Sequence, residues 1–351
     1  MLRSIIRVSV GIGLLYVKQS EYKSEDVLIV INNLRRLGNS DLLVSPVGLG
    51  CLQFSRGRGI SGAMWPSLSR SEINAIVETS IRGGINWFDT AELYGWGESE
   101  RALSQSIDDL KIKRDEIVIA TKWWPVLRTS SSITTSIDTR LSALNTDKID
   151  LYQIHNSFSF SSISSQMKEM AKLVDLGKVR YVGVSNFSAR RMRKAHKELS
   201  KYGLTLVSNQ VNYSLLKRQI ERNGVIDTAK ELGISLIAYS PLGRGLLTGK
   251  FHDNPDLINK RHIFRRYYAS LNKGRLKKSS QVIEALKSIA KKYQVTPSQI
   301  ALNWVINSNG STIVTIPGAT KVGQARDNAE AIKFELSEDD ISYLNDVSSS
   351  F

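Results

Sequence analysis

Eight short apolar runs typical of β-strands recur along the chain, and each is followed by a stretch with helical periodicity. Strands that alternate with helices predict a parallel sheet, because a crossover helix returns the chain to the same end of the sheet. Eight such units in 351 residues favour closure into a (β/α)8 TIM barrel over an open sheet. The predicted strands are 44–50, 85–90, 116–122, 148–155, 179–185, 205–211, 234–240 and 311–318.

A predicted hairpin precedes the first unit, and extra helices follow the last strand. The stretch Leu34–Val44 reads as two short strands, because Gly38, Asn39 and Ser40 supply a turn. No GxGxxG motif follows the first strand, which argues against a dinucleotide-binding Rossmann domain. The predicted helices are 67–84 with a Ser69–Glu72 capping box, one beginning after Gly97, 131–144, 164–176, 189–202, 224–232, 279–293, one beginning at Thr296-Pro297, 322–332 and one begun by Leu336-Ser337-Glu338.

Composition places the chain among soluble globular proteins with a large core. Hydrophobic residues make up 41% and charged residues 23% of the sequence, and both values are ordinary. The one cysteine, Cys51, excludes an intramolecular disulfide and a cysteine-rich zinc site. It fits a reducing compartment, so we expect a cytoplasmic location. The four histidines show no metal-ligand spacing, and we expect no metal site.

The chain is strongly basic, with a formal net charge of +15 and a pI of about 9.8. Such an excess favours anionic partners, of which nucleic acid and an anionic cofactor are the two alternatives. No paired-cysteine finger and no glycine-aromatic RNA signature occurs in the sequence. We therefore expect a small-molecule partner and neither nucleic acid nor a membrane. The sequence leaves the oligomeric state open.

Residues 1–33 are predicted to be an N-terminal extension, and residues 34–351 a single barrel domain. The apolar run from Val8 to Val17 is too short to span a bilayer. No obvious small-residue cleavage site follows it, which weakens a secretory signal. Three alternatives stay open for the extension: a targeting segment, a structural arm that lies on the domain, and a start codon assigned too far upstream.

Four titratable side chains lie at or just beyond the ends of adjacent predicted strands. Asp89 ends the second strand, Lys122 the third and His155 the fourth, while Tyr94 follows in the loop after the second. Taken singly, they are explained as a turn carboxylate, a strand-end lysine, a core histidine and a loop aromatic. In a barrel, however, the carboxyl ends of the strands form one rim, where active sites lie. We therefore expect the four side chains to converge.

Together these side chains suit proton transfer to an oxygen atom. The phenol of Tyr94 is a poor acid near neutral pH, but a neighbouring ammonium such as Lys122 favours the phenolate and lowers its pKa. A carboxylate such as Asp89 holds that ammonium in place and keeps it charged when partly buried. The imidazole of His155 can donate a hydrogen bond to a substrate carbonyl oxygen. The set predicts a site that protonates oxygen while another group delivers a hydride to carbon.

Seven segments resemble, in order, motifs of the aldo-keto reductase superfamily: GGINWFDTAELYGWGESE, VIATKWW, DLYQIH, VGVSNFS, SNQVNYSLL, IAYSPLGRGLLTGKF and IPGATKVGQARDN. The resemblance spans roughly Leu34 to Val347. It implies a (β/α)8 barrel with a nicotinamide cofactor extended across the C-terminal face, and NAD(P)H-dependent reduction of aldehydes or ketones to alcohols. By matching position it implies a catalytic tetrad, with Tyr94 as general acid in reduction: Asp89, Tyr94, Lys122 and His155.

The resemblance also implies which residues bind the cofactor. The residues that hold the nicotinamide carboxamide are matched by Ser185, Asn186 and Gln210. The ring on which nicotinamide stacks is matched by Tyr239. The glycine-rich loop 240–250 matches the segment that wraps the pyrophosphate, with candidates Ser240, Pro241, Leu242, Gly243, Arg244 and Gly245. A later segment matches the adenosine end, with candidates Gly318, Thr320, Lys321, Gln324 and Asn328.

NADPH is the expected cofactor, with NADH as the alternative. Lys321, at a predicted helix start, could pair with a ribose 2′-phosphate. Residues 318–321 contain no acidic side chain that could accept hydrogen bonds from two free ribose hydroxyls. The basic stretch Lys260–Lys278 either covers the cofactor or is a solvated loop.

The chain departs from the family pattern at two places that bear on substrate. Asn156 follows His155 where some branches carry a tryptophan, and the chain ends soon after its last predicted helix, where branches with steroid or sugar specificity have a longer loop. We therefore expect an open pocket, lined by aromatics that could equally be packing residues: Phe54, Trp65, Trp123 and Trp124. The alternative function is that of a cofactor-binding regulatory subunit resembling the β-subunits of potassium channels, which retain the tetrad.

Overall fold

The computed structural model describes residues 33–62, 65–259 and 272–351. Strands β1 (Arg35–Arg36) and β2 (Leu43–Val44) pair antiparallel, which confirms the predicted hairpin. Gly38 in its turn has a φ of 55°, a conformation that glycine adopts without strain. Buried side chains of the hairpin pack with residues of the barrel strands and close the N-terminal end of the barrel. The predicted extension, except for Asn33, lies outside the described residues.

The remaining strands form one parallel sheet in which every strand lies beside its sequence neighbours. Parallel bridges from Val47 to Thr315 and from Gly50 to Gly318 join the last strand to the first. The predicted (β/α)8 barrel is thereby confirmed. Its strands are β3 (Leu49–Gly50), β4 (Trp87–Asp89), β5 (Val118–Trp123), β6 (Ile149–Ile154), β7 (Val179–Ser185), β8 (Leu206–Asn212), β9 (Ser235–Tyr239) and β10 (Ile313–Thr315).

The first predicted strand, 44–50, is divided between the hairpin and the barrel. Val44 ends β2, whereas Leu49 begins β3. Pro46 lies between them and has no N–H group for a sheet, although its carbonyl accepts from the backbone N–H of Thr315 at 2.9 Å. A run that reads as one apolar strand therefore serves two sheets.

Helices cover the outside of the barrel, and their apolar faces form its main core. The described helices are α1 (Gly59–Gly62), α2 (Arg70–Arg82), α3 (Glu98–Asp109), α4 (Ser131–Thr135), α5 (Ile137–Ala143), α6 (Ile163–Asp175), α7 (Ala189–Ser200), α8 (Val225–Leu232), α9 (Lys250–Asp253), α10 (Asp256–Asn259), α11 (Lys273–Tyr293), α12 (Pro297–Asn307), α13 (Val322–Glu330) and α14 (Glu338–Val347).

Two helix predictions differ from the structure by more than a few terminal residues. The predicted helix 131–144 is two helices that meet at Ser136, whose hydroxyl donates to the carbonyl of Ser132 at 2.6 Å. This stretch is rich in serine and threonine, whose hydroxyls compete with the helical backbone pattern. Helix α11 begins at Lys273 instead of Ser279, because the side chain of Asn272 caps it by accepting from the N–H of Arg275. The basic stretch 260–278 is thus helical from Lys273, and its first part lies outside the described residues.

Two features are absent from the described ranges. No helix within them is long and apolar enough to cross a bilayer. The same residues contain no group of three or more His, Cys, Asp and Glu side chains that could hold a metal ion.

Candidate active site

The four side chains that the strand ends predict converge at the C-terminal rim of the barrel. Asp89 is the last residue of β4, Lys122 lies one residue before the end of β5, and His155 directly follows β6. The ammonium of Lys122 lies 2.5 Å from the carboxylate of Asp89 and 3.4 Å from the hydroxyl of Tyr94. The rings of Tyr94 and His155 meet edge to face, with centroids 5.5 Å apart. The predicted convergence is therefore present in the fold.

Asp89 lies at the centre of a buried polar layer inside the barrel. One carboxylate oxygen accepts from Lys122, whose ammonium also donates to the carbonyl of Thr90 at 2.7 Å. The other oxygen accepts amide N–H groups from Gln153 at 3.2 Å and Gln210 at 2.8 Å. Gln210, which is predicted to hold the nicotinamide carboxamide, thus donates an amide hydrogen to Asp89. Sequence reading missed Gln153, because a glutamine inside a strand carries no signal until its barrel neighbours are known.

Burial acts differently on the two basic groups of the site. For Lys122, burial lowers the pKa, but the neighbouring charges of Asp89 and Tyr94 more than offset this and the pKa lies above its usual value. For His155, burial and then the charge of Lys122 hold the pKa well below its usual range. At neutral pH the rim therefore combines a charged ammonium with a neutral imidazole, which can donate one hydrogen bond.

The loop after β4 turns sharply so that Tyr94 faces the rim. Gly95 and Gly97, on either side of Trp96, have φ values of 65° and 81°. A Cβ atom at Gly95 would lie 2.9 Å from the backbone oxygen of Ser55, so a larger residue would displace the loop. These two glycines account for the position of the phenol beside Lys122.

The residues predicted to hold the nicotinamide form a connected chain at the ends of β7, β8 and β9. The hydroxyl of Ser185 donates to the carbonyl of Gln210 at 3.0 Å and accepts from the amide of Asn186 at 2.9 Å. The hydroxyl of Tyr239 donates to the amide oxygen of Asn186 at 3.1 Å. Asn186 and Ser240 both have left-handed backbones, with φ values of 59° and 53°. Such strain in non-glycine residues is typical of functional sites.

The predicted pyrophosphate loop follows β9 directly. Pro241 is buried and Leu242 half-buried at its start. Gly243, Arg244 and Gly245 then turn through left-handed conformations, with φ values of 55°, 60° and 98°. Successive turns of this kind aim backbone N–H groups into a concave surface that suits an anion.

Arg275, in the first turn of α11, was missed in the sequence and lies near this loop. Its pKa is lowered, first by burial and then by the positive charge of Arg244. Its Nε is buried and has no hydrogen-bond partner among the described residues. Two guanidinium groups brought close together suit an anionic ligand. The basic composition of 260–278 was the available signal, but it did not single out this position.

The residues predicted for the adenosine end lie at the seam of the barrel and along α13. Gly318 is at the seam, and the N–H of Thr320 donates to the amide oxygen of Gln324 at 2.8 Å. Lys321 precedes the first turn of α13, and its side chain is exposed. Asn328 is 2% exposed, and its Nδ2 has no hydrogen-bond partner in the part of the chain that the structure describes. A buried amide of this kind calls for an added acceptor.

The four aromatics predicted to line a pocket fall into two pairs. Phe54 and Trp123 are fully buried in the core, so their burial favours the packing alternative. Trp65 and Trp124 are partly exposed. The ring of Trp124 lies edge to face against His155, with centroids 5.3 Å apart. Trp124 is therefore in contact with the rim.

Two further aromatics near the rim were not predicted. Phe158 and Phe160 lie in the loop after β6, only a few residues beyond His155, and are 59% and 66% exposed. Their rings are 5.7 Å apart and meet edge to face. Exposed apolar rings beside a concave rim are typical of ligand-binding surfaces.

Glu100, in α3, is a buried carboxylate close to the rim that titrates near neutral pH. Burial raises its pKa to about 7, although Arg140 and Thr121 act in the opposite direction. The folded chain thus keeps a proton that the unfolded chain loses, and stability falls as the pH rises from about 4.5 to 7.

Glu100→Gln should remove this pH dependence. Relative to the wild type, the variant should gain up to about 3 kcal/mol of unfolding free energy between pH 4.5 and pH 8, since one pKa unit corresponds to about 1.4 kcal/mol. Urea unfolding of both proteins at the two pH values measures the difference. A difference that stays constant with pH would contradict the prediction.

Comparisons with known proteins identify the family of this chain. The family model described as "Aldo/keto reductase family" matches residues 46–349. A probable aldo-keto reductase 1 of Glycine max is 33% identical over 316 residues, which cover 87% of this chain and 86% of that protein. The aldo-keto reductase str7 of Strobilurus tenacellus is 32% identical over 313 residues, covering 88% and 89%.

A solved structure gives the same assignment. The crystal structure of a thermostable aldo-keto reductase, Tm1743, in complex with the inhibitor epalrestat superposes with a TM-score of 0.71 at 30% identity. The match covers 90% of this chain and all of that one, 100%. Family and fold together support NAD(P)H-dependent carbonyl reduction in general terms. This chain belongs to the aldo/keto reductase family.

Proposed function

We propose that the protein is an NADPH-dependent reductase of aldehydes and ketones, with Tyr94 as the general acid. The observation that carries this proposal is the row of contacts from Asp89 through the fully buried Lys122 to the Tyr94 hydroxyl. A buried ammonium beside a phenol stabilises the phenolate that remains once the proton has left.

Each member of the tetrad has a distinct task in this proposal. Tyr94 donates its hydroxyl proton to the substrate carbonyl oxygen, and in the reverse direction its phenolate accepts the proton from the alcohol. Lys122 stabilises the phenolate, and Asp89 keeps Lys122 charged and in place. His155, held neutral, donates a hydrogen bond that orients and polarises the carbonyl. Positioning of the reacting groups and electrostatic stabilisation together lower the barrier.

The described residues fit a nicotinamide dinucleotide. When bound, that cofactor supplies the hydride. Ser185, Asn186 and Gln210 offer amide and hydroxyl groups to a carboxamide, and Tyr239 offers a ring face at the same rim. Farther along the C-terminal face, the phosphate end would meet the loop 240–250 and the buried Nε of Arg275, as described above. The adenosine end would meet Asn328.

Substitutions of Arg275 and Lys321 should affect the binding of NADPH and NADH differently. We expect Arg275→Met to weaken the binding of NADPH and NADH alike by about 10- to 150-fold, because a charge-assisted hydrogen bond to a phosphate that both share contributes about 1.5–3 kcal/mol. We expect Lys321→Met to weaken NADPH by a similar factor and to leave NADH unchanged, because only NADPH carries the 2′-phosphate. Fluorescence titration of each variant with both cofactors measures the effect. Unchanged affinities in Arg275→Met would remove that residue from the phosphate site.

The substrates in this proposal are small or hydrophobic carbonyls. The partly exposed Trp124 stands against His155, and the exposed rings of Phe158 and Phe160 follow in the same strand-end region. A carbonyl that reaches Tyr94 and His155 would extend its apolar part toward these rings.

A panel of carbonyl substrates, run with NADPH and with NADH, tests the proposal. Purified protein should oxidise NADPH with at least some aldehydes or ketones, and should do so less efficiently with NADH. Tight NADPH binding without turnover of any carbonyl would instead support the regulatory-subunit alternative.

A further inference from the structure

We infer that Glu92 is a positioning residue: its carboxylate fastens the loop that carries Tyr94 to the loop that carries Trp124. The inference rests on the proposed role of Tyr94 at the rim. Glu92 lies in the loop after β4, two residues before Tyr94, and its side chain is 11% exposed. It touches none of the tetrad side chains through its carboxylate, so its action would be indirect.

The carboxylate of Glu92 joins three separate parts of the chain. One oxygen accepts from the backbone N–H of Trp124 and from the guanidinium of Arg128, each at 2.5 Å. The other oxygen accepts from the guanidinium of Arg140, in α5, at 3.3 Å. A carboxylate that accepts from a backbone N–H and two guanidinium groups makes three charge-assisted hydrogen bonds, which are the stronger kind.

Arg128 is itself held from several sides. Its guanidinium donates to the hydroxyl of Ser132, in α4, at 3.1 Å and to that of Ser136, where α4 and α5 meet, at 3.0 Å. It also lies over the ring of Trp123, 5.6 Å from the ring centroid. Ser136, at the break in the predicted helix 131–144, thus supplies one of the hydroxyls that hold Arg128, the partner of Glu92.

Arg140 extends the network toward the barrel wall. Its side chain is 8% exposed and also lies 3.4 Å from the fully buried carboxylate of Glu100. Glu100 accepts from the hydroxyl of Thr121 in β5, the residue before Lys122, at 2.6 Å. Two carboxylates and the guanidinium of Arg140 between them therefore connect the Tyr94 loop to the strand that carries Lys122.

This network bears directly on the geometry of the rim. Trp124 and Tyr94 both meet the ring of His155 edge to face, at centroid distances of 5.3 and 5.5 Å. Glu92 ties the backbone of Trp124 to the Tyr94 loop and so fixes the spacing between the two rings that flank the imidazole. A shift of about 1 Å in such an arrangement can cost about 100-fold in rate.

Substitution of Glu92 tests the inference against a matched control. Glu98 is similarly buried, at 10% exposed, and similarly paired, with Arg56, Arg58 and Arg101, but it makes no bond to the Trp124 loop. We expect Glu92→Ala to lower kcat by about 100-fold and Glu92→Gln, which keeps an acceptor for the Trp124 N–H, by about tenfold. Cofactor affinity should change less than about threefold in both. Glu98→Ala and Glu98→Gln should keep kcat within about twofold.

A second readout does not depend on turnover. Hydrogen exchange should become faster in peptides that cover 90–97 and 123–130 in the Glu92 variants, and not in the Glu98 variants. If Glu92→Ala does not accumulate as folded protein, kcat and hydrogen exchange are both measured on Glu92→Gln.

The outcomes separate this inference from the proposed function. If the wild type turns over no carbonyl, the proposed function fails, and hydrogen exchange still decides whether Glu92 fastens the two loops. If the wild type is active, a kcat that stays within about threefold in Glu92→Ala would overturn the inference. An equal loss of kcat in the Glu98 variants, or unchanged exchange in both loops, would overturn it as well.

Discussion

Tyr94→Phe should lower kcat for carbonyl reduction by about 10²- to 10⁴-fold, the usual contribution of a positioned general acid. Phenylalanine keeps the ring that packs against His155 and under the ammonium of Lys122, so the rim should keep its shape. Only the hydroxyl that lies 3.4 Å from that ammonium is lost. Affinity for NADPH should therefore change little, and steady-state kinetics with a cofactor titration measure both quantities.

The same chemical change at the opposite end of the barrel provides the control. The hydroxyl of Tyr181 accepts from the backbone N–H of Asp41 in the hairpin at 3.3 Å. Tyr181→Phe should leave kcat unchanged within a factor of about two, because it removes one weak, exposed hydrogen bond. If Tyr94→Phe retained wild-type turnover, the assignment of the general acid would be wrong.

Asp89→Asn should have the largest effect on stability. The side chains of Asp89 and Lys122 are 2% and 0% exposed, so the change leaves an ammonium buried without its counter-charge. Breaking a buried pair by removing one partner costs about 3–5 kcal/mol. Activity should fall with it, because Lys122 would no longer be held charged beside Tyr94. Urea unfolding at pH 7 measures the loss of stability.

The double variant Asp89→Asn with Lys122→Met separates charge burial from packing. Removing both charges should restore most of the stability and none of the activity, because a buried pair is often replaced at little cost. The single variant should also recover stability as the pH rises toward 10. Without Asp89, Lys122 would bind its proton less tightly in the folded chain than in the unfolded chain. Once the pH is high enough for the unfolded chain to lose this proton as well, the cost of burying the charge disappears.

Asp150→Asn is the matched control for this buried carboxylate. Asp150 is 5% exposed, but its partners Arg114 and Arg180 are about one-third exposed, at 32% and 31%. Those guanidinium groups can turn to water when the carboxylate is lost, so we expect a smaller cost, about 1–2 kcal/mol. If Asp89→Asn and Asp150→Asn lost the same unfolding free energy, the isolated ammonium of Lys122 would not be the cause of the loss in Asp89→Asn.

The barrel could be predicted from the sequence because its strands and helices follow local rules. The Ser69–Glu72 capping box begins α2, as the sequence predicts, and Thr296 with Gln299 forms a second box at α12. The deviations occur where tertiary contacts override local preference. Pro46 divides an apolar run between two sheets, and Asn272 starts α11 inside a basic stretch that resembles a loop.

The convergence of the tetrad could be predicted for a topological reason. Parallel strands end at one rim, so Asp89, Lys122 and His155 at successive strand ends had to meet. The support around them could not be predicted in this way. Gln153 donates to Asp89 from within a strand, and Glu92 reaches Trp124 and Arg128 across two loops. Such contacts depend on side-chain packing between elements that are distant in sequence.

Transfer of deuterium from labelled cofactor tests whether the protein transfers a hydride directly to the carbonyl carbon. NADPH carrying deuterium at one C4 position of the nicotinamide should be incubated with the protein and a carbonyl substrate from the active set. We expect one deuterium on the carbinol carbon of the alcohol, and transfer from only one of the two C4 positions. Alcohol that forms without deuterium from either position would contradict direct hydride transfer at this rim.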